Sequence, residues 1–81
     1  MDSYYEIFDL ASGNMVEDYD RERDAIEALM RVVGEHGRQA IATFALTSVQ
    51  DGQSTLIAMQ DDLVARVEQE MRELIPQRRS S

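Results

Sequence analysis

Apolar and polar positions change period twice along the chain, from alternation to a helical repeat and back, and the cycle then runs once more. From Asp20 to Gly37 (DRERDAIEALMRVVGEHG), Ile26, Leu29, Met30 and Val33 fall at i, i+3, i+4 and i+7, with Ala25 and Val32 widening the stripe. That spacing predicts an amphipathic α-helix with one buried side. Asp20 is expected to cap its free amides, Glu22 and Asp24 to complement the helix dipole, and Gly34 and Gly37 to supply left-handed exits.

Before the helix, Tyr4 to Leu10 (YYEIFDL) is rich in aromatic and β-branched residues and reads as a strand. Gly13 in Ala11-Ser12-Gly13-Asn14 is suited to close a three-residue loop, returning the chain from Asn14 to Tyr19. In that register Leu10 faces Asn14, Phe8 faces Val16, Glu6 faces Asp18 and Tyr5 faces Tyr19. A slip pairing Leu10 with Met15 stays open, and it exchanges the faces of the returning strand. Two carboxylates opposite each other, Glu6 and Asp18, mark either an anchoring point for a partner or a wrong register.

After the helix, Arg38 to Ala42 reads as a short connection. Thr43 to Gln50 (TFALTSVQ) and Gln53 to Met59 (QSTLIAM) flank Asp51-Gly52, a strong two-residue hairpin signal. Its register puts Phe44, Leu46, Ile57 and Met59 on a core face, leaving Ala45, Thr47, Val49, Ser54, Leu56 and Ala58 on the reverse. Gln60 to Ile75 is a second amphipathic helix, with Val64, Val67, Met71 and Leu74 on its seam, Leu63 and Ile75 beside them, and Pro76 as its stop. The expected fold is therefore α+β with order ββαββα: two hairpin-helix units forming a four-stranded, mainly antiparallel sheet with two helices on one face. One domain over residues 1–76 is expected, followed by a polar, frayed tail over 77–81.

Neither side of the first hairpin is plainly hydrophilic. In the favoured register Tyr5, Ile7, Met15 and Tyr19 share one side, and Tyr4, Phe8, Leu10 and Val16 the other. An antiparallel sheet with helices on a single face alternates cleanly when its second face is wet, so this pattern calls for a second cover. A second copy is the simplest cover for so short a chain. Phe8, Leu10, Val16 and Leu56 are the residues expected to make a homodimer contact.

Composition narrows the chemistry. The 81 residues contain no cysteine, which removes disulfides, thiolate catalysis and Cys-based zinc sites. All eight basic residues are Arg, so no lysine is present for Schiff-base or P-loop chemistry. The formal charge is −8, and ten of the sixteen carboxylates precede residue 38. That balance argues against nucleic-acid binding, where affinity comes from neutralising phosphates. No segment approaches the roughly 20 apolar residues of a membrane span, and the opening MDSYYEIFDL has neither a basic start nor a long apolar run; a cytoplasmic protein without membrane contact is expected.

The candidate sites are few. The acidic run Glu17, Asp18, Asp20, Glu22 and Asp24 fails as a calcium loop, because counting from Asp18 puts Arg23 and Leu29 where Gly and Glu are required. It reads as a solvated helix start or, alternatively, as an acidic surface for a basic groove on another protein. His36, the sole histidine, stands beside Glu35 without a nucleophile or further ligands in the pattern, so a structural place near a helix C-terminus is expected. No cofactor, metal or catalytic residue is expected.

The pattern Tyr5-x-Ile7-x-Asp9-Leu10-x-Ser12-Gly13-Asn14-x-Val16, followed by Tyr19-Asp20 and Asp24-Ala25, resembles a set of short bacterial α+β proteins with no assigned activity. The resemblance extends through the Asp51-Gly52 hairpin and implies a free-standing small domain, with no catalytic or binding residue to carry over. The expected function is that of a non-enzymatic interaction protein that self-associates through an apolar sheet face. The alternative is an acidic inhibitor or antitoxin-like protein, and a third is a small enzyme assembled at an oligomer interface around His36.

Overall fold

Ile7 and Leu46 face each other across the two central strands of the sheet, and the fold is built outward from that pair. The structure, a computed structural model, describes residues 3–74. In chain order these form β1 (Ser3–Asp9), β2 (Asn14–Tyr19), α1 (Glu22–His36), a 3₁₀ turn (Arg38–Ile41), β3 (Phe44–Gln50), β4 (Gln53–Met59) and α2 (Gln60–Leu74). The strands make one antiparallel sheet in the order β2-β1-β3-β4, so the two hairpins abut through their first strands. This is the α+β, ββαββα architecture that the sequence predicts. Ile75, Pro76 and the tail over 77–81 lie outside the described residues.

Both helices lie on the face that carries Ile7 and Leu46. Ala25, Ile26 and Leu29 of α1 and Leu63, Val64 and Val67 of α2 pack with these two residues, ringed by half-buried Tyr5, Tyr19, Phe44, Ile57, Met30 and Met71. Of the helical stripes read from the sequence, Ala25, Ile26, Leu29, Leu63, Val64 and Val67 are buried and Met30, Val32, Val33 and Met71 half-buried, while the Leu74 side chain and Ile75 lie outside the description. Among the described residues no polar or charged residue is buried, so the interior is held by apolar contact alone. A half-buried ion pair between Arg66 of α2 and Glu22 of α1 ties the helices at their rim.

Several local expectations are corrected. Helix α1 starts at Glu22 and its N-cap is Arg21, without a side-chain capping bond; Asp20 does not cap. The Arg21 carbonyl instead accepts from the Asp24 and Ala25 amides at 3.1 and 3.3 Å. Gly34 lies inside the helix, and only Gly37, at φ +92°, makes the exit, its amide donating to the Val33 carbonyl at 2.8 Å. The short connection after it is a 3₁₀ turn whose Ile41 is fully buried in the core. At the other sharp corner Gln60 takes φ +53°, which lets α2 begin directly at the end of β4.

Each hairpin keeps the predicted register at one end and loses it at a bulge. In the first, Tyr5 faces Tyr19 and Glu6 faces Asp18 as expected, but beyond the bulge Phe8 faces Met15 and Asp9 faces Asn14. In the second, Gln50 faces Gln53 and Thr47 faces Leu56, after which Leu46 faces Ala58 and Ala45 faces Met59. Val16 and Ile57 are the extra residues. Met15 is thereby moved to the side of Phe8, Met59 leaves the core face, and Ala58 joins it.

The β3–β4 turn requires left-handed backbone at both central residues, Asp51 at φ +52° and Gly52 at φ +83°. Gly52→Ala is expected to lower stability by about 1 kcal/mol in urea titration, although no atom crowds the added methyl. An unchanged midpoint would contradict the strained-turn explanation.

Candidate functional site

Strand alternation puts Tyr4, Glu6 and Phe8 of β1, Ala45, Thr47 and Val49 of β3, and Ser54 and Leu56 of β4 on the face away from the helices. Met15 of β2 stands opposite Phe8, Asp18 opposite Glu6, and Met59 opposite Ala45, so these join the same face. Val16 occupies the bulge beside Met15, and Leu10 continues the alternation past β1, its amide bonded to the Thr43 carbonyl at 2.8 Å. Leu10, Met15, Val16, Leu56 and Met59 are the exposed large apolar residues of the described chain, from 41% exposed at Met59 to 52% at Leu56. All five belong to this one side of the sheet or its margin. Isolated exposed apolar residues are ordinary, whereas a contiguous set on one face marks a contact surface.

On the β3 part of this face Ala45 and Val49 are already buried by their neighbours within the subunit. Of the predicted contact residues, Phe8 is half-buried there, and Leu10, Val16 and Leu56 are exposed around it. Met15 and Met59 belong with them. The sequence reading missed both because each bulge has apolar residues on either side, so the hydrophobic pattern fits two registers equally.

Glu6 and Asp18 are the charged side chains that alternation assigns to this face among the described residues. They lie in one rung that crosses all four strands, Asp18–Glu6–Thr47–Leu56. The face thus has an acidic half, on β2 and β1, and an uncharged half, on β3 and β4. Thr47 Oγ1 is buried in that rung without a hydrogen-bond partner. Its own subunit already encloses that oxygen, so the unpaired hydroxyl is a cost of about 1 to 3 kcal/mol within the fold and not a group presented to a partner.

The acidic run does not form one surface. Glu17 and Asp18 are on β2, with Glu17 opposite Ile7, and Asp20 is exposed in the link to α1. Glu22 is held by Arg66, and Asp24 by Arg21 at 3.4 Å. His36 is two-thirds exposed at the end of α1, with Glu35 3.8 Å away. Among the described residues no group of three or more His, Asp or Glu side chains is arranged to hold a metal ion. A groove of about 270 Å³ between α1 and α2 is lined by Ile26 and Met30 together with the charged Glu22 and Arg66. That is below the roughly 300 to 1,000 Å³ of typical small-molecule sites.

A second polar cluster serves the fold. The Asp9 carboxylate accepts from Thr43 Oγ1 at 2.8 Å, the Ala11 amide at 3.1 Å and Ser12 Oγ at 3.2 Å, fastening the first turn to the start of β3. The Thr43 hydroxyl bond above all, with those from Ala11 and Ser12, holds the Asp9 carboxyl below its ordinary value against some desolvation. A lowered folded-state value means the contribution is present above the unfolded carboxylate range and is lost as pH falls through the folded value. Asp9→Asn is therefore expected to melt earlier than the parent at pH 7, with the gap closing as pH falls through the acid range. A gap that persists unchanged at pH 2 would contradict this account.

Among the described residues no helix is long and apolar enough to cross a membrane. The chain matches no protein-family model, no curated protein and no solved structure.

Proposed function

We propose that the protein is a small interaction protein, acting by binding rather than catalysis, whose open sheet face is covered by a second copy of itself. The observation that carries this reading is the gathering of Leu10, Met15, Leu56 and Met59 on the side of the sheet without helices or at its margin, with exposed Val16 in the bulge beside Met15. Size supports it. Four strands of about seven residues span roughly 19 by 23 Å, and corrugation by side chains enlarges that area, so two faces together approach the roughly 1,200 Å² at which stable interfaces begin. A thin core in a chain of 81 residues adds a reason to associate. The working location in this reading is the cytoplasm.

Sedimentation equilibrium at micromolar concentration tests the reading. The expected mass is twice that of the chain, unchanged or increased by added salt, because apolar burial is not screened and the repulsion between two acidic subunits is. A single-chain mass at every salt concentration would overturn it. The second reading, capture of a basic protein by Glu17, Asp18 and Asp20, rests on their exposure. It predicts instead a monomer and a complex that weakens steeply with salt.

A further inference from the structure

The acidic pair is off-centre on the open face, and its position selects how the second copy sits. Two aligned sheets packed face to face around a two-fold axis admit two arrangements, with the axis running along the strands or across them. An axis across the strands lays β2 on β2 and β1 on β1, bringing the acidic half of each copy against the acidic half of the other. Among the described residues this face offers no cation to separate them: Arg21, Arg23 and Arg31 belong to α1 or its cap, Arg38 to the 3₁₀ turn, and Arg66 and Arg72 to α2. Four carboxylates would then share one dewatered contact, which is unfavourable.

An axis along the strands lays β2 on β4 and β1 on β3. Height along the strand is unchanged by that rotation, so the rung Asp18–Glu6–Thr47–Leu56 falls on its own reverse. Glu6 of each copy then lies over Thr47 of the other, and Asp18 over Leu56. Asp18, on an edge strand, keeps its access to water at the rim. The geometry points to this arrangement: the protein pairs with its copy about an axis parallel to its strands, acidic half on uncharged half. It rests on the reading of the open face as a dimer contact, and adds the orientation.

Charges placed on β4 test it. In this arrangement residue 56 of one copy meets Asp18 and Glu6 of the other; with the axis across the strands, it meets β4 of the other copy. Leu56→Lys is therefore expected to hold the dimer within about threefold of the parent and to make it salt-sensitive, while Leu56→Glu weakens it at least tenfold. Ser54→Lys and Ser54→Glu, at a small exposed residue on the same face, should show the same asymmetry and guard against a folding defect at residue 56. Equal weakening by Lys and Glu, above all if a one-to-one mixture of the two variants restores association, would overturn the orientation and leave the interface standing. A parent protein that sediments as a single chain overturns the interface itself, and the orientation with it.

Discussion

Leu46→Ala is expected to lower the unfolding free energy by about 2 to 5 kcal/mol, the range for emptying a fully buried aliphatic position. Leu46 has no exposed surface, sits on β3 opposite Ile7 and Ala58, and faces both helices. Neighbours on the sheet cannot move into the gap without breaking strand pairing, and Leu29 and Val67 are fixed by their own helices. A domain of 81 residues has about 4 to 12 kcal/mol of stability in all, so the loss is a large part of the total. The melting temperature should fall by more than 10 °C, measured at one fixed protein concentration because association adds to apparent stability. Leu56→Ala, at a position half exposed in the subunit, should change subunit stability by less than about 1 kcal/mol. Equal losses at the two positions would contradict the division of the sheet into a core face and an open face.

Val16→Asp is the matching experiment on the other side. Val16 is half exposed in the bulge of an edge strand, where a carboxylate stays hydrated in the free subunit. Once the face is covered, the edge-strand carboxylate replaces an apolar rim contact with a charge set against the uncharged side chains of the other copy, at a cost of about 1.5 kcal/mol. Association is expected to weaken about tenfold while the circular dichroism spectrum stays that of the parent. A variant that keeps the parent's native mass would remove Val16 from the contact. It would also remove the main reason for assigning the exposed residues to a second copy.

The two experiments use residues that the sequence separates unequally. Leu46 is legible as core because Phe44 and Leu46 alternate with smaller residues and the Asp51-Gly52 turn fixes their distance from the loop. The helical stripes are legible because Ile26, Leu29, Met30 and Val33, and Val64, Val67 and Met71, keep a period with no competing choice. Strand order is not legible, since pairing of β1 with β3 joins residues some forty positions apart and leaves no local signal. Nor are the bulges. Met15-Val16 and Ile57-Ala58-Met59 offer an apolar residue to either face, so period-two alternation cannot decide which one is extra. The N-cap misled for a related reason: Asp20 has the right chemistry, but the strand β2 runs to Tyr19 and the chain needs two more residues to turn before helical dihedrals begin. Ile41 was hidden by the assumption that a connection stays on the surface.

The same ambiguity explains the incomplete reading of the candidate site. Phe8, Leu10, Val16 and Leu56 could be proposed as contact residues because the first hairpin lacks a wet side, and the asymmetry of the face could not, because Glu6 and Asp18 become half of a four-strand rung only when β1 is set beside β3.

Methionine oxidation tests the cover on the open face most directly. Met15 and Met59 are 48% and 41% exposed on that face, whereas Met30 and Met71 are half-buried among the helices. Peroxide treatment followed by peptide mass analysis reads each residue separately. If a second copy covers the sheet, Met15 and Met59 oxidise slowly at high protein concentration, and faster on dilution or in Val16→Asp. Oxidation of Met15 and Met59 ahead of Met30 and Met71 at every concentration, unaffected by Val16→Asp, would contradict the account.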